Sequence, residues 1–303
     1  MSACIMCGID GSSDAARAAS MAARLARDLD SRAFLVHVVE DTGGLPSGLS
    51  LPRIRRARRM KKLLKAIAEE CAFPRQTEVH LASGDPATEL IAVAEREDAE
   101  LVVVSSQGGG KISPALLGGV ASALMRRCPC PVVVVPPTAI PPLDAEGLKR
   151  VVCGVEGRNT DVHVLRLAGD LAARLGADLH AVQSYDPGTA KSAAAPPTVD
   201  PPEAERRDAA EGSLALTLAE ATVEVRAHVL ASPTAEALVR VSEQERAGLT
   251  VVGPPDGSAE HVGLGRSVAI QLAAGGTTAL VVLPTEAELG AGTGHYELAA
   301  STA

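Results

Sequence analysis

Short apolar runs separated by longer mixed stretches set the rhythm of this chain. Ile5 to Ile9, Phe34 to Val39, Glu78 to Ala82, Leu101 to Ser105 and Val132 to Val135 lack a clean apolar–polar alternation. Strands covered on both faces, as in a parallel sheet, read this way. Between them the apolar positions fall at helical spacing. Ser13 and Asp14 read as the cap of a helix through Ala15 to Asp28, and Pro86 to Glu97 reads as another helix. Alternating strand and helix predict a doubly wound α/β sheet with ligands at the carboxyl ends of its strands.

The pattern occurs twice. Cys7-Gly8-Ile9-Asp10-Gly11 returns as Cys153-Gly154-Val155-Glu156-Gly157, and setting His37 against His180 aligns Leu35 to Val38 with Asp178 to Ala181. Gly84 to Leu90 matches Ala231 to Ala237, Leu101 to Ser105 matches Leu249 to Gly253, and Val132 to Pro136 matches Leu280 to Pro284. Five blocks in one order mark a duplication. The second copy's strands are expected to begin near Val151, Asp178, Val223, Leu249 and Ala279. The expected organisation is a domain over 1–138, a proline-stiffened linker over 139–148, a second domain over 149–285, and a Gly-, Ala- and Thr-rich tail over 286–303. The Pro-rich stretch 186–202 reads as a loop.

Composition removes several function classes. The chain has no Trp, two Tyr and two Phe, so it lacks the aromatic platforms on which single-stranded nucleic acids stack. Its formal charge of −8 does not steer it toward DNA or anionic lipid. No apolar run reaches the roughly 20 residues that span a bilayer. Met1 to Cys7 runs into Gly8 without a basic leader, so the cytoplasm is the expected compartment. Cys4 and Cys7 form a CxxC, but within a strand they point to opposite faces and converge poorly on one ion. The six cysteines therefore read as structural and reduced.

The end of the fourth strand carries the chemistry. Ser105-Ser106-Gln107-Gly108-Gly109-Gly110-Lys111 leads on to Gly118-Gly119-Val120 and a helical stretch. A Gly-rich turn lets backbone N–H groups approach a phosphate, and a helix N-terminus favours an anion. The same cluster also reads as a plain surface turn. Arg53, Arg55, Arg56, Arg58, Arg59, Lys61 and Lys62 precede Leu63, Leu64 and Ile67, which reads as a basic amphipathic helix, either a solvated face that packs on the sheet or a surface for a membrane or an acidic partner. His37 and His180 lie inside strands and read as packed or pocket-lining.

Asp10-Gly11-Ser12, His37-Val38-Val39, Gly84-Asp85-Pro86, the Gly-rich turn and Pro129 to Val135 together resemble the universal stress protein family, and the likeness covers both copies. It implies two Rossmann-like domains of the adenine nucleotide α-hydrolase type, each with a five-stranded, mainly parallel sheet. ATP-binding members carry G-x2-G-x9-G-[S/T] at this turn. That motif falls on Ser105, Gly108, Gly118 and Gly119, of which Gly108 and Gly118 match. By the same resemblance Asp10 lies near the adenosine end, the Val38 backbone meets the adenine, and Lys111 is an additional phosphate partner. In the second copy Gly253 and Ser267 match, but Asp256 and Arg266 replace the inner glycines, Glu156 replaces Asp10, and Ala181 replaces Val38. An Asp there repels a triphosphate unless a metal such as Mg2+ intervenes, so the second pocket is expected to be degenerate.

The expected function is a stress-response regulator that binds ATP or another adenine nucleotide in the first copy. A non-nucleotide-binding dimerisation scaffold or adaptor is the alternative, and a weak ATP hydrolase ranks third. No catalytic base and no GK[ST] magnesium motif is assignable, and fold analogy alone does not establish turnover. The resemblance further implies that the last strands, Val132 to Val135 and Ala279 to Leu283, pair the two domains within the chain; whether chains also form a homodimer stays open.

Overall fold

The structure, a computed structural model, describes residues 3–40, 51–108, 117–139, 148–156, 161–185, 202–219, 224–255 and 267–284. The chain divides into two compact units, and the main changeover falls inside the strand Val132–Val135, which is described with the first. In the first unit β1 (Cys4–Gly8), α1 (Ser13–Asp28), β2 (Arg32–Val39), α2 (Leu51–Glu70), β3 (Glu78–Ser83), α3 (Pro86–Arg96), β4 (Ala99–Ser105), α4 (Gly119–Arg127) and β5 (Val132–Val135) follow one another. The sheet order is β3-β2-β1-β4-β5. Strand β1 pairs in parallel with β2 and β4, and β2 with β3. From β1 the chain steps outward through β2 to β3, then returns past β1 to β4. Right-handed crossovers then place α1 and α2 on one face and α3 and α4 on the other. Accordingly α1 touches α2, and α3 touches α4.

The second unit repeats the plan with β6 (Arg150–Val155), α5 (Asp161–Leu175), β7 (Asp178–Tyr185), α6 (Glu203–Ala219), β8 (Val225–Ala231), α7 (Thr234–Gln244), β9 (Leu249–Val252), α8 (Val268–Gly275) and β10 (Ala279–Val282). Its order is β8-β7-β6-β9-β10, parallel at β6–β7, β7–β8, β6–β9 and β9–β10. The doubly wound α/β fold expected of each copy is what forms.

The central strands are buried because helices cover both faces. Cys4, Ile5, Met6 and Cys7 of β1 are wholly inaccessible, as are Val151, Val152 and Cys153 of β6. Close helix approach explains the repeated Cys-Gly pair. A Cβ on Gly8 would lie 3.1 Å from Val104 Cγ1 and 3.3 Å from Leu90 Cδ1, and one on Gly154 would lie 3.0 Å from Leu238 Cδ1. Each glycine lets a leucine of the third helix reach the sheet.

Helix starts follow their capping chemistry. The cap of α1 is Ser12, whose Oγ accepts the Ala15 N–H at 3.1 Å, so the cap lies one residue before the expected Ser13–Asp14 pair. Asp85 caps α3 by accepting the Thr88 N–H at 2.9 Å, with Pro86 at the first helical position. Helix α2 carries the basic stretch. Arg55, Arg58, Arg59, Lys61 and Lys62 are exposed while Leu64 is fully buried, which is the solvated-face arrangement. The expected loop at 186–202, the linker and the tail lie almost wholly outside the described residues.

All six cysteines are free thiols, and every one except Cys71 is buried. Burial pushes Cys4 up to about 11 and Cys153 to about 12, and holds Cys7 higher still. Cys130 is raised by its hydrogen bond with Cys128, whose sulfur is 3.6 Å away, and by desolvation. Since the thiolate is the nucleophile, Cys71 alone is expected to react with a thiol reagent in the folded protein at pH 8. The other five should react only in denaturant. Titration of more than one thiol in the native state would contradict this packing.

Candidate functional site

Sheet order reverses between β1 and β4, and the connections leaving these strands pass to opposite faces, which opens a crevice at the strand tips. The β1 connection is tightly fixed. Gly11 adopts φ +87°, a conformation that side chains disfavour. Asp10 Oδ1 accepts the Ser12 N–H at 2.9 Å and the Ser12 hydroxyl at 2.7 Å. Beneath it buried His37 donates from Nδ1 to the Ile9 carbonyl at 2.7 Å, since a carbonyl can only accept. His37 is thus packed as expected and pins the turn that presents Asp10.

The β4 connection meets it. Ser105 donates its hydroxyl to the Gln107 carbonyl at 2.7 Å, and the Gly118 N–H donates to the Ser106 carbonyl at 2.7 Å. These bonds bring the two ends of the turn together. A Cβ on Gly108 would lie 3.0 Å from Asp10 Oδ2, and one on Gly118 would lie 3.1 Å from the Ser106 carbonyl. Gly118 is the N-cap of α4 and offers no side-chain oxygen, so the first-turn N–H groups remain suited to an external anion. A Cβ on Gly119 would meet nothing within 4 Å. Asp10, Ser105, Gly108, Gly118 and Gly119 therefore come together where β1 and β4 end. Half-buried Val38 lies two residues past the Gly8–Val36 pair, at the same sheet edge. Lys111 lies outside the described residues. The residue that the sequence left unremarked is Ser106, whose hydroxyl is buried under the turn with no partner among the described residues.

The second unit is built differently. Glu156 follows β6 and is exposed, and its backbone N–H donates to buried Asp161 Oδ2 at 2.8 Å. Gly253 follows β9, and a Cβ there would make ordinary contact with Val164 at 3.7 Å. Ser267 caps α8 by position but without a side-chain bond. Asp256 and Arg266 lie outside the described residues. Ala181 does not occupy the place of Val38. Gly8 pairs with Val36 and Gly154 with Val182, so Val38 corresponds to Ser184 and His37 to Gln183. Ala181 is a buried mid-strand residue opposite Cys153. Matching His37 with His180 misplaced the strand by three residues, because main-chain pairing with the central strand, not the shared histidine, sets the register.

A second polar group lies on the sheet of this unit. His180 is completely buried, its Nδ1 is 3.0 Å from His228 Nε2, and the two rings stack with centroids 5.2 Å apart. His180 Nε2 lies 3.9 Å from Glu245 Oε2 and makes no hydrogen bond. Desolvation lowers the His180 pKa, with Glu245 acting in the opposite direction.

Residues 1–136 and again 147–284 match the universal stress protein family. The chain belongs to that family. A universal stress protein of Methanocaldococcus jannaschii is 32% identical over 133 residues, covering 42% of this chain and 77% of that protein. One from Thermus aquaticus is 32% identical over 136 residues, covering 43% of this chain and 96% of that protein. Among solved structures, a universal stress protein of Archaeoglobus fulgidus superposes with a TM-score of 0.67 at 15% identity. That match covers 93% of this chain and 98% of the other. The tandem arrangement of two universal stress protein domains is thus common to the sequence, the family match and the fold. No helix among the described residues is long and apolar enough to cross a membrane.

Proposed function

We propose that the first unit binds an adenine nucleotide, ATP foremost, and that the chain is a nucleotide-responsive stress regulator. The observation that carries this reading is the closeness of Asp10 to Gly108, where an added Cβ would stand 3.0 Å from the carboxylate, beside the uncapped start of α4 at the point where strand order reverses. Phosphates meet backbone N–H groups at the glycine turn and helix start. A ribose hydroxyl can donate to the Asp10 carboxylate, and the half-buried main chain at Val38 suits an adenine. Mg2+ would screen phosphate charge from Asp10. The second unit replaces these features with Glu156 and its Asp161 clasp, and Ser184 stands at the Val38 position, so it does not take the nucleotide.

In the same reading the two domains pair through β5 and β10, the all-aliphatic last strand of each copy, and the protein works in the cytoplasm. The scaffold reading is favoured by one observation. Ser105, at the first glycine of the nucleotide motif, spends its hydroxyl on Gln107, and Gly119 lacks the hydroxyl that the motif supplies. Calorimetry with ATP and Mg2+ on the full chain decides between them. One ATP per chain is expected, without ADP release over the titration. An absence of binding heat supports the scaffold, two equivalents refute the degenerate second pocket, and steady ADP production establishes the hydrolase.

A further inference from the structure

The geometry points to a divalent-metal site in the second unit, with His180, His228 and Glu245 as ligands for a Zn2+-type ion. The three residues come from three elements that the sequence separates widely. His180 lies in β7, His228 in β8, and Glu245 is the C-cap of α7. Val182 pairs with His228 in register, and His180 is two residues from Val182, so both imidazoles rise from one face of the sheet. One ligand atom from each of the three residues lies within 4.8 Å of the other two.

Donor chemistry supports a cation. His180 Nδ1 and His228 Nε2 share a hydrogen bond at 3.0 Å, which ties the two rings together and leaves Nε2 as the His180 nitrogen open to an ion. The remaining His180 nitrogen, Nε2, is buried without a partner and faces a carboxylate oxygen 3.9 Å away. If it carries no proton, two lone pairs confront each other in a dry place. If it carries one, the N–H is too far from the carboxylate to bond. A dication taken up between Nε2 and the carboxylate relieves either arrangement, and His228 lies near enough to complete the set. Two neutral imidazoles with one carboxylate suit zinc, cobalt and nickel, and three protein ligands leave a position for water. The Glu245 side chain is 31% exposed, which gives the ion an entry path, and the C-terminal end of α7 favours positive charge.

The duplication supplies an internal control. His80 pairs with Val36 as His228 pairs with Val182, and Glu97 caps α3 as Glu245 caps α7. The third position differs. Met6 pairs with Phe34 where Val152 pairs with His180, so the first unit keeps two of the ligands and closes the site with a phenyl ring. The protein's own first domain shows that phenylalanine fits this place in the fold.

The test uses the full chain freed of metal by chelator, titrated with Zn2+ against a chromophoric competitor and with Co2+ followed by visible absorption. Wild type should bind one equivalent, with Co2+ bands of a low-coordinate nitrogen–oxygen site, and its Tm should rise on adding Zn2+. His180→Phe should weaken binding by about 100-fold or more and abolish the Tm rise, and Glu245→Gln should weaken it at least about tenfold. Phe34→His should add a second equivalent. Circular dichroism checks that each variant is folded; should His180→Phe fail that check, Glu245→Gln and His228→Asn decide. No Zn2+ binding by wild type, or an equivalent retained with unchanged affinity in the folded ligand variants, overturns the site.

Discussion

Gly108→Val is expected to lower ATP affinity by about 100-fold while leaving the first unit folded. Its Cβ would sit 3.0 Å from Asp10 Oδ2, and that carboxylate cannot swing aside cheaply because its other oxygen holds the Ser12 N–H and hydroxyl. The branched side chain would also stand where backbone N–H groups must approach a phosphate. Overpacking of this kind costs about 1–3 kcal/mol, and about 2.7 kcal/mol is a hundredfold in affinity. Position 108 is exposed, so little of that penalty falls on folding. The opposite change is available nearby. Gly119→Ser enters open space at the start of α4 and restores the motif's hydroxyl, which should tighten binding by about tenfold through a charge-assisted hydrogen bond. Calorimetry on the two variants reads both effects. Unaltered affinity in Gly108→Val would remove this crevice as the nucleotide site.

Leu25→Ala is expected to destabilise the first unit by about 3–4 kcal/mol, in the middle of the range for buried leucines. The buried face of α1 consists of Ala15, Ala18, Ala19, Met21, Ala22, Ala23, Leu25 and Ala26. Leu25 and Met21 are its only bulky members. Alanine neighbours have no spare length with which to refill a void, so the cavity persists. Urea unfolding of the full chain, followed by circular dichroism, should show the first unit's transition moving to lower denaturant while the second unit's stays. A loss below about 1 kcal/mol would mean that the helix resettles onto β1 and β4.

Local grammar made much of this architecture readable. Strands covered on both faces leave unbroken Val runs, and an Asp-Pro pair starts a helix for reasons contained within four residues, as at Asp85 and Pro86. Gly118 was legible as a helix start on the same basis. The α1 cap fell one residue away because Ser12 and Ser13 are chemically equivalent, and only the Asp10 carboxylate, by gripping Ser12, chooses between them. The error at Ala181 has a longer reach. Strand register depends on main-chain pairing with β6, which sequence similarity between two histidines cannot report. The histidine–glutamate group was wholly hidden, since residues 180, 228 and 245 share no spacing and meet only when β7, β8 and α7 stack. Ser106 stayed unnoticed beside Ser105 because burial, not residue type, distinguishes it.

The candidate site stands on β1 and β4, interior strands of their sheet, where Ile5, Met6, Cys7, Val102 and Val103 have no accessible surface. Amide hydrogens in this floor can meet solvent only when the whole unit comes apart, so they rank among its slowest to exchange. Adaptation to a guest molecule therefore falls to the connections above the strand tips, and the floor acts as a fixed anvil beneath them.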